Sequence, residues 1–231
     1  MSVPAQTLNT AIHPDDGRLV ALAAPDSLAA EQFRILLARI DRAAATRPLR
    51  TIAISSCARR EGRSLTAVNL ALTAARDGRD VALVECDLRR PSLASILDLA
   101  PRAGLAEVVE GKADLPQALA RVNGVAVLCA GEARDAAAVW RNPRFASTLD
   151  TLRSSFPLVV LDAPPALAFS EANRLAAAAD GVLLVVRAGE TPREVVRMAV
   201  DALGDKVLGI VLNGVEENGY VRYMRNEAIA G

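Results

Sequence analysis

The chain has 231 residues, a formal net charge of +0 and 52% hydrophobic residues. That length and apolar content suit a single domain with a large core, and the balanced charge offers no bulk field that would draw the chain to nucleic acid or anionic lipid. No apolar run approaches the roughly 20 residues that span a bilayer, and the N-terminus MSVPAQTLNTAIHPDDGR lacks the apolar core of a signal peptide, so the chain reads as cytosolic.

In chain order, residues 1 to about 25, with Pro4, Pro14 and Pro25, are poorly patterned and are assigned to a flexible leader. Asp26 or Ser27 can cap a helix whose Leu28, Phe33, Ile35, Leu36, Leu37 and Ile40 suit one buried face. Thr51 to Ile54 is a β-branched strand. It passes through small residues into Arg59-Arg60-Glu61-Gly62-Arg63-Ser64, and Leu65, Val68, Leu70 and Leu72 carry a helix onward to Asp77-Gly78. Val81 to Pro91 reads as a buried strand ending in acidic residues, followed by short helices at Pro91 to Leu99 and Gly104 to Gly111, then Leu115 to Ala120. Val125 to Cys129 is a short third strand, a helix over about Pro143 to Ser154 leads to the strand Leu158 to Asp162, and Ala176 to Asp180 leads into the run Val182 to Val186. Thr191-Pro192 opens a further helix, with proline at a first turn where its missing N–H costs nothing, and Val207 to Leu212 is the last strand. The strand, tight loop and helix from Thr51 to Leu70 have P-loop geography, and with the alternation of strand and helix without an internal repeat they predict an α/β fold, P-loop NTPase-like and doubly wound. Its mainly parallel sheet carries helices on both faces over 26 to 216, before a short tail at 217 to 231.

Cys57, Cys86 and Cys129 lack metal-ligand spacing and read as buried reduced thiols. His13, the only histidine, sits in a polar tail and leaves metal or histidine-base catalysis little to work with. The chemistry points elsewhere. In a strand, tight loop and helix of this kind, backbone N–H groups and the positive helix end hold phosphates, a Lys reaches them and a Ser or Thr hydroxyl ligates Mg²⁺. Here the glycine is Gly62, the hydroxyl is Ser64 and the basic residue is Arg63. Asp87 and Asp162 end two further strands, and carboxylates at the C-terminal ends of parallel strands share the loop's edge of the sheet, where Mg²⁺ and an attacking group are handled.

REGRS, ECDLRRPS, GLAEVVEG at 104 to 111, LDAPPALAFSEANRLAAAADGVLLVVRAGET at 161 to 191 and VLGIVLNGV at 207 to 215 form an ordered set. In it the chain resembles the bacterial tyrosine kinases of polysaccharide export, relatives of the partition and cell-division ATPases. The resemblance runs from roughly Asp26 to the C-terminus. It implies ATP or ADP with Mg²⁺, with the nucleotide held by Arg60, Glu61, Gly62, Arg63, Ser64 and Leu65 and its base framed by Arg187 and Asn213. It further implies Mg²⁺ at Ser64, Asp87 and Asp162, catalysis through Asp87, Glu85 and Arg63, and Tyr220 and Tyr223 as the available phosphoacceptors. Asn213-Gly214 reads equally as a turn, and Arg89 and Arg90 as phosphate or subunit contacts or as solvated charges. The implied partner is a membrane co-polymerase of polysaccharide export that recruits a cytosolic protein to the inner face of the membrane. Glu31 and Arg34 match the start of the family's E-x-x-R-x-x-R segment, by which relatives dock subunits in a ring; a homo-oligomer follows from it, and an amphipathic helix with solvated charges reads as well.

The departures bear on activity. Arg63 stands in the place of the phosphate lysine, a planar fork for a point charge. Arg60 replaces a glycine where unusual φ/ψ is needed, Leu37 replaces the last arginine of the docking segment, and Glu85 replaces the first Asp of D-x-D with one more methylene, when a misplacement of about 1 Å can cost on the order of 100-fold in rate. Only Tyr220 and Tyr223 stand where the kinases carry a dense tyrosine cluster. Lys112 and Lys206 are the only lysines, so Arg63 also fits a general drift to arginine. The readings are a regulatory or scaffolding relative with weakened or lost phosphotransfer, an active autokinase, or a partition-type positioning ATPase. That last group carries a second Lys near the loop's start, where this chain has Ala58.

Overall fold

The structure, a computed structural model, describes residues 9–10, 17–168 and 170–215. The strands are β1 (Asn9–Thr10), β2 (Thr51–Ser56), β3 (Val81–Glu85), β4 (Ala120–Val122), β5 (Val125–Leu128), β6 (Leu158–Asp162), β7 (Gly181–Arg187) and β8 (Val207–Asn213). They lie in the order β1-β4-β5-β3-β6-β2-β7-β8. Every neighbouring pair runs parallel except β4 and β5. The central strands β2, β3 and β6 are buried at every position, which is why their sequences are apolar or β-branched up to the polar residues at their C-terminal ends.

Helices cover both faces. On one lie α1 (Val20–Ala23), α2 (Leu28–Ala44), α3 (Arg63–Arg76) and α4 (Leu93–Ile96), packed through Leu19, Leu37, Ile40, Val68, Leu72 and Leu93. On the other lie α5 (Leu105–Glu110), α6 (Leu115–Ala118), α7 (Ala136–Arg141), α8 (Arg144–Ser155), α9 (Ser170–Ala178) and α10 (Arg193–Leu203), packed through residues such as Leu105, Trp140, Leu152, Leu175 and Leu203. Burial on both sides makes the doubly wound arrangement read from the sequence. Among the described residues, no helix is long and apolar enough to cross a membrane.

Three local details differ from the sequence reading. The leader assigned to residues 1 to 25 already joins the domain at residue 19, because Leu19 and Ala21 are buried and the Ala21 N–H donates to Asn69 Oδ1 at 3.1 Å. The helix expected to reach Ala120 stops at Ala118, and β4 and β5 form an antiparallel hairpin around Asn123 (φ 45°) and Gly124 (φ 87°). Two successive positive φ values give the tight turn whose twist matches paired strands, and Asn-Gly is its preferred sequence. A helix at Ala136–Arg141, capped by Asp135 through the Ala138 N–H, precedes the one foreseen at Pro143.

Candidate functional site

The site lies at the C-terminal ends of β2, β3 and β6. β2 runs into a loop that ends at Gly62, whose φ of 90° is open to glycine. A Cβ there would overlap the Asn213 side-chain amide. The loop is tied from several sides. Ser56 Oγ donates to Ala58 O at 2.7 Å, the Ala58 N–H donates to Glu61 Oε2 at 2.8 Å, and the Thr191 hydroxyl donates to Glu61 Oε1. Asn213 Nδ2 donates to Glu61 O at 2.8 Å, joining the end of β8 to the loop. Arg60 sits at φ 64°, the left-handed region that a glycine enters without cost, and its side chain is exposed.

Arg63 opens α3 and turns to the strand ends. Its Nε donates to Asp162 Oδ1 and its Nη2 to Asp87 Oδ2, both at 2.9 Å. Arg63 is 11% exposed, Asp87 8% and Asp162 0%, so this three-membered ion cluster is nearly dry. Asp87 Oδ1 also accepts the Arg90 N–H at 3.2 Å. Asp162 Oδ2 is buried without a hydrogen-bond partner. Burial pushes the Asp162 carboxyl up, against the pull of the Arg63 charge. Ser64 Oγ accepts a hydrogen bond from Ser92 Oγ at 3.1 Å, and Leu65 packs on the core beneath α2 and α3.

Glu85, grouped with the catalytic residues in the sequence reading, is committed elsewhere. Its carboxylate accepts N–H donors from Ser92, from Leu93 at 2.7 Å and from Ala130 at 3.0 Å. Its extra methylene carries the oxygens to backbone amides and makes them a strut between β3, α4 and the end of β5. Arg187 and Asn213 are register partners at the ends of β7 and β8. Arg187 pairs with Glu190 at 3.1 Å, while the Asn213 amide is turned to the loop. Arg89 bonds Glu171 of α9 at 2.9 Å. On α2, Arg34 pairs with Glu31 within the helix, and Leu37 is buried in the core. Tyr220 and Tyr223 lie outside the described residues.

The geometry therefore brings together Gly62, Arg63, Ser64, Asp87 and Asp162, and leaves Glu85 outside. Sequence reasoning missed the loop's two fasteners, Glu61 to Thr191 and Asn213 to Glu61. Thr191 carried no signal beyond its place before a proline. A divalent ion of the Mg²⁺ type needs oxygen ligands free to face it. Asp162 Oδ2 is one such oxygen, but both oxygens of Asp87 and the second of Asp162 are taken, and a guanidinium charge already lies between the two carboxylates. In this arrangement the residues do not fit the ion.

A glycine-gated loop between strand and helix, facing two strand-end aspartates of a doubly wound sheet, defines a P-loop NTPase. The family model described as ParA, NUBPL iron-transfer P-loop NTPase, matches residues 49–218. The tyrosine-protein kinase YwqD of Bacillus subtilis is 31% identical over 89% of this chain and 89% of its own length. The succinoglycan biosynthesis transport protein ExoP of Rhizobium meliloti is 32% identical over 88% of this chain, which spans 27% of that protein. Among solved structures, the chimerical protein CapA2B2 superposes with a TM-score of 0.82 at 25% identity, covering 93% of this chain and 96% of that one. The chain belongs to the bacterial tyrosine-kinase family within the ParA-type P-loop NTPases.

Proposed function

We propose that this chain is a kinase-like protein of exopolysaccharide or capsule assembly in which phosphotransfer is weakened or lost. It acts as a regulator or scaffold toward a membrane partner of polysaccharide export. The observation that carries the reading is the Arg63 bridge: the residue in the lysine's place is spent on Asp87 and Asp162 instead of reaching toward phosphate. Phosphoryl transfer rests on positioning and on charge placed against the moving phosphoryl group. A cation locked to the acidic residues supplies neither, and Arg60 sits in a left-handed conformation in the same loop. The polysaccharide setting is supported by the kinship with YwqD, a tyrosine-protein kinase, and ExoP, a succinoglycan biosynthesis transport protein.

Gly62 and Ser64 retain the roles of a nucleotide cleft in this reading, with Arg187 and Asn213 at its base side, while Asp87 and Asp162 hold Arg63. Tyr220 and Tyr223 are the tyrosines to watch. The test is incubation of the purified chain with ATP and Mg²⁺, with and without the membrane partner's cytosolic segment, read by phosphotyrosine mass spectrometry. Unmodified Tyr220 and Tyr223 are expected, and stoichiometric phosphorylation at either overturns the reading in favour of an active autokinase. Restoration of phosphotransfer by Arg63→Lys identifies the arginine as the lesion.

A further inference from the structure

The acidic pair at the strand ends already has its cation. Asp87 and Asp162 come from segments following β3 and from β6, and one side chain joins them by two separate N–H donors at 2.9 Å each. A guanidinium is suited to this, because its donors lie in a rigid fork that can serve two acceptors at once, whereas an ammonium is a single point. The remaining carboxylate nearby, Glu85, is spent on three backbone amides and adds no ligand. Asp162 Oδ2 stays buried and unpartnered beside Arg63, an acceptor that the fork does not reach. A divalent ion approaching that oxygen would meet a positive charge at contact distance in a nearly dry site, where Coulomb repulsion is only weakly screened.

Resting on the reading proposed above, we infer that Arg63 is the resident cation of this cleft. Its guanidinium stands where a divalent metal would join Asp87 to Asp162, and such an ion binds there only when that charge is removed. The substitution thus does more than lose a phosphate contact, since it trades a metal site for an internal ion pair.

The test uses the full chain without nucleotide, so it stands apart from the phosphotyrosine assay and each can fail alone. Mn²⁺ binding is followed by the loss of its free electron paramagnetic resonance signal, and thermal unfolding is compared in EDTA, in Mn²⁺ and in NaCl of equal ionic strength. Wild type is expected to leave the Mn²⁺ signal undiminished and to unfold alike in all three buffers. Arg63→Gln is expected to bind Mn²⁺ about tenfold or more tightly than wild type and to regain in Mn²⁺, though not in NaCl, the stability it lost. Adding Asp162→Asn to that variant abolishes the gain. Wild-type affinity within about twofold of the variant, or a folded variant that takes up no Mn²⁺, overturns the inference. Should Arg63→Gln fail to fold in any buffer, the equally neutral Arg63→Met decides: Mn²⁺ uptake by it supports the inference, and no uptake overturns it.

Discussion

Glu85 and Asp162 end neighbouring strands, face each other in register and are both buried, yet they are satisfied by different means. Glu85 is held by backbone N–H groups from two segments, whereas Asp162 is held by side chains, with Arg63 donating to Oδ1 and Ser64 beside it, and its Oδ2 makes no hydrogen bond of good geometry. Burial pushes both carboxyls up, against the pull of amides in one case and of the Arg63 charge in the other. The difference separates structure from chemistry at one sheet edge. A carboxylate saturated by main chain is fastened to the fold, while one held by side chains can change partners when those side chains are altered.

The largest effect should come from stripping Asp162 of its partner. Arg63→Met leaves two buried carboxylates without a cation, and urea unfolding in metal-free buffer should show a loss of about 3–5 kcal/mol. A loss under about 1 kcal/mol would put the bridge on a level with a surface ion pair and break the comparison. Glu85→Gln should cost less, about 1–3 kcal/mol, because one acceptor oxygen becomes an NH₂ facing an N–H donor. Its Mn²⁺ uptake should match wild type, since Glu85 stands outside the cleft.

The Glu85 deficit should also depend on pH. A folded-state value raised by burial above the ordinary 4.5 means that the folded protein holds this proton longer than the unfolded chain. Its contribution is therefore fully present below 4.5 and is lost as pH rises through the raised folded value. Paired melts across that range should show the gap between wild type and Glu85→Gln narrowing as pH rises, and a widening gap would reverse the assignment. The smallest effects belong to the loop that presents Arg63. Gly62→Ala should lose about 1 kcal/mol or more, because it forces a side chain into φ 90° against Asn213. Arg60→Gly should gain about 1 kcal/mol by relieving φ 64°. Opposite signs two residues apart, measured by denaturant titration, are the check.

Much of the fold was legible because its signals are local. Buried parallel strands need near-continuous apolar or β-branched runs, and residues 51–54, 81–84 and 158–161 show them. The β4–β5 hairpin was also written locally, in Asn123-Gly124, but its strands are short enough for the preceding helical pattern to mask them. Leu19 and Ala21 gave no such signal, because they are buried in an apolar cluster with residues remote in the chain, and the Ala21 N–H is met by the Asn69 amide 48 residues away.

Residue types and spacing along the chain were enough to set Gly62, Ser64, Asp87 and Asp162 at one edge of a parallel sheet, because strand direction and right-handed crossovers leave few other places for them. They could not decide where the Arg63 fork would point, nor that Glu85 would leave the cleft for the amides of Ser92, Leu93 and Ala130. Those outcomes depend on distances of a few ångströms between segments far apart in the chain. Only packing of the sheet against its two helical layers sets such distances.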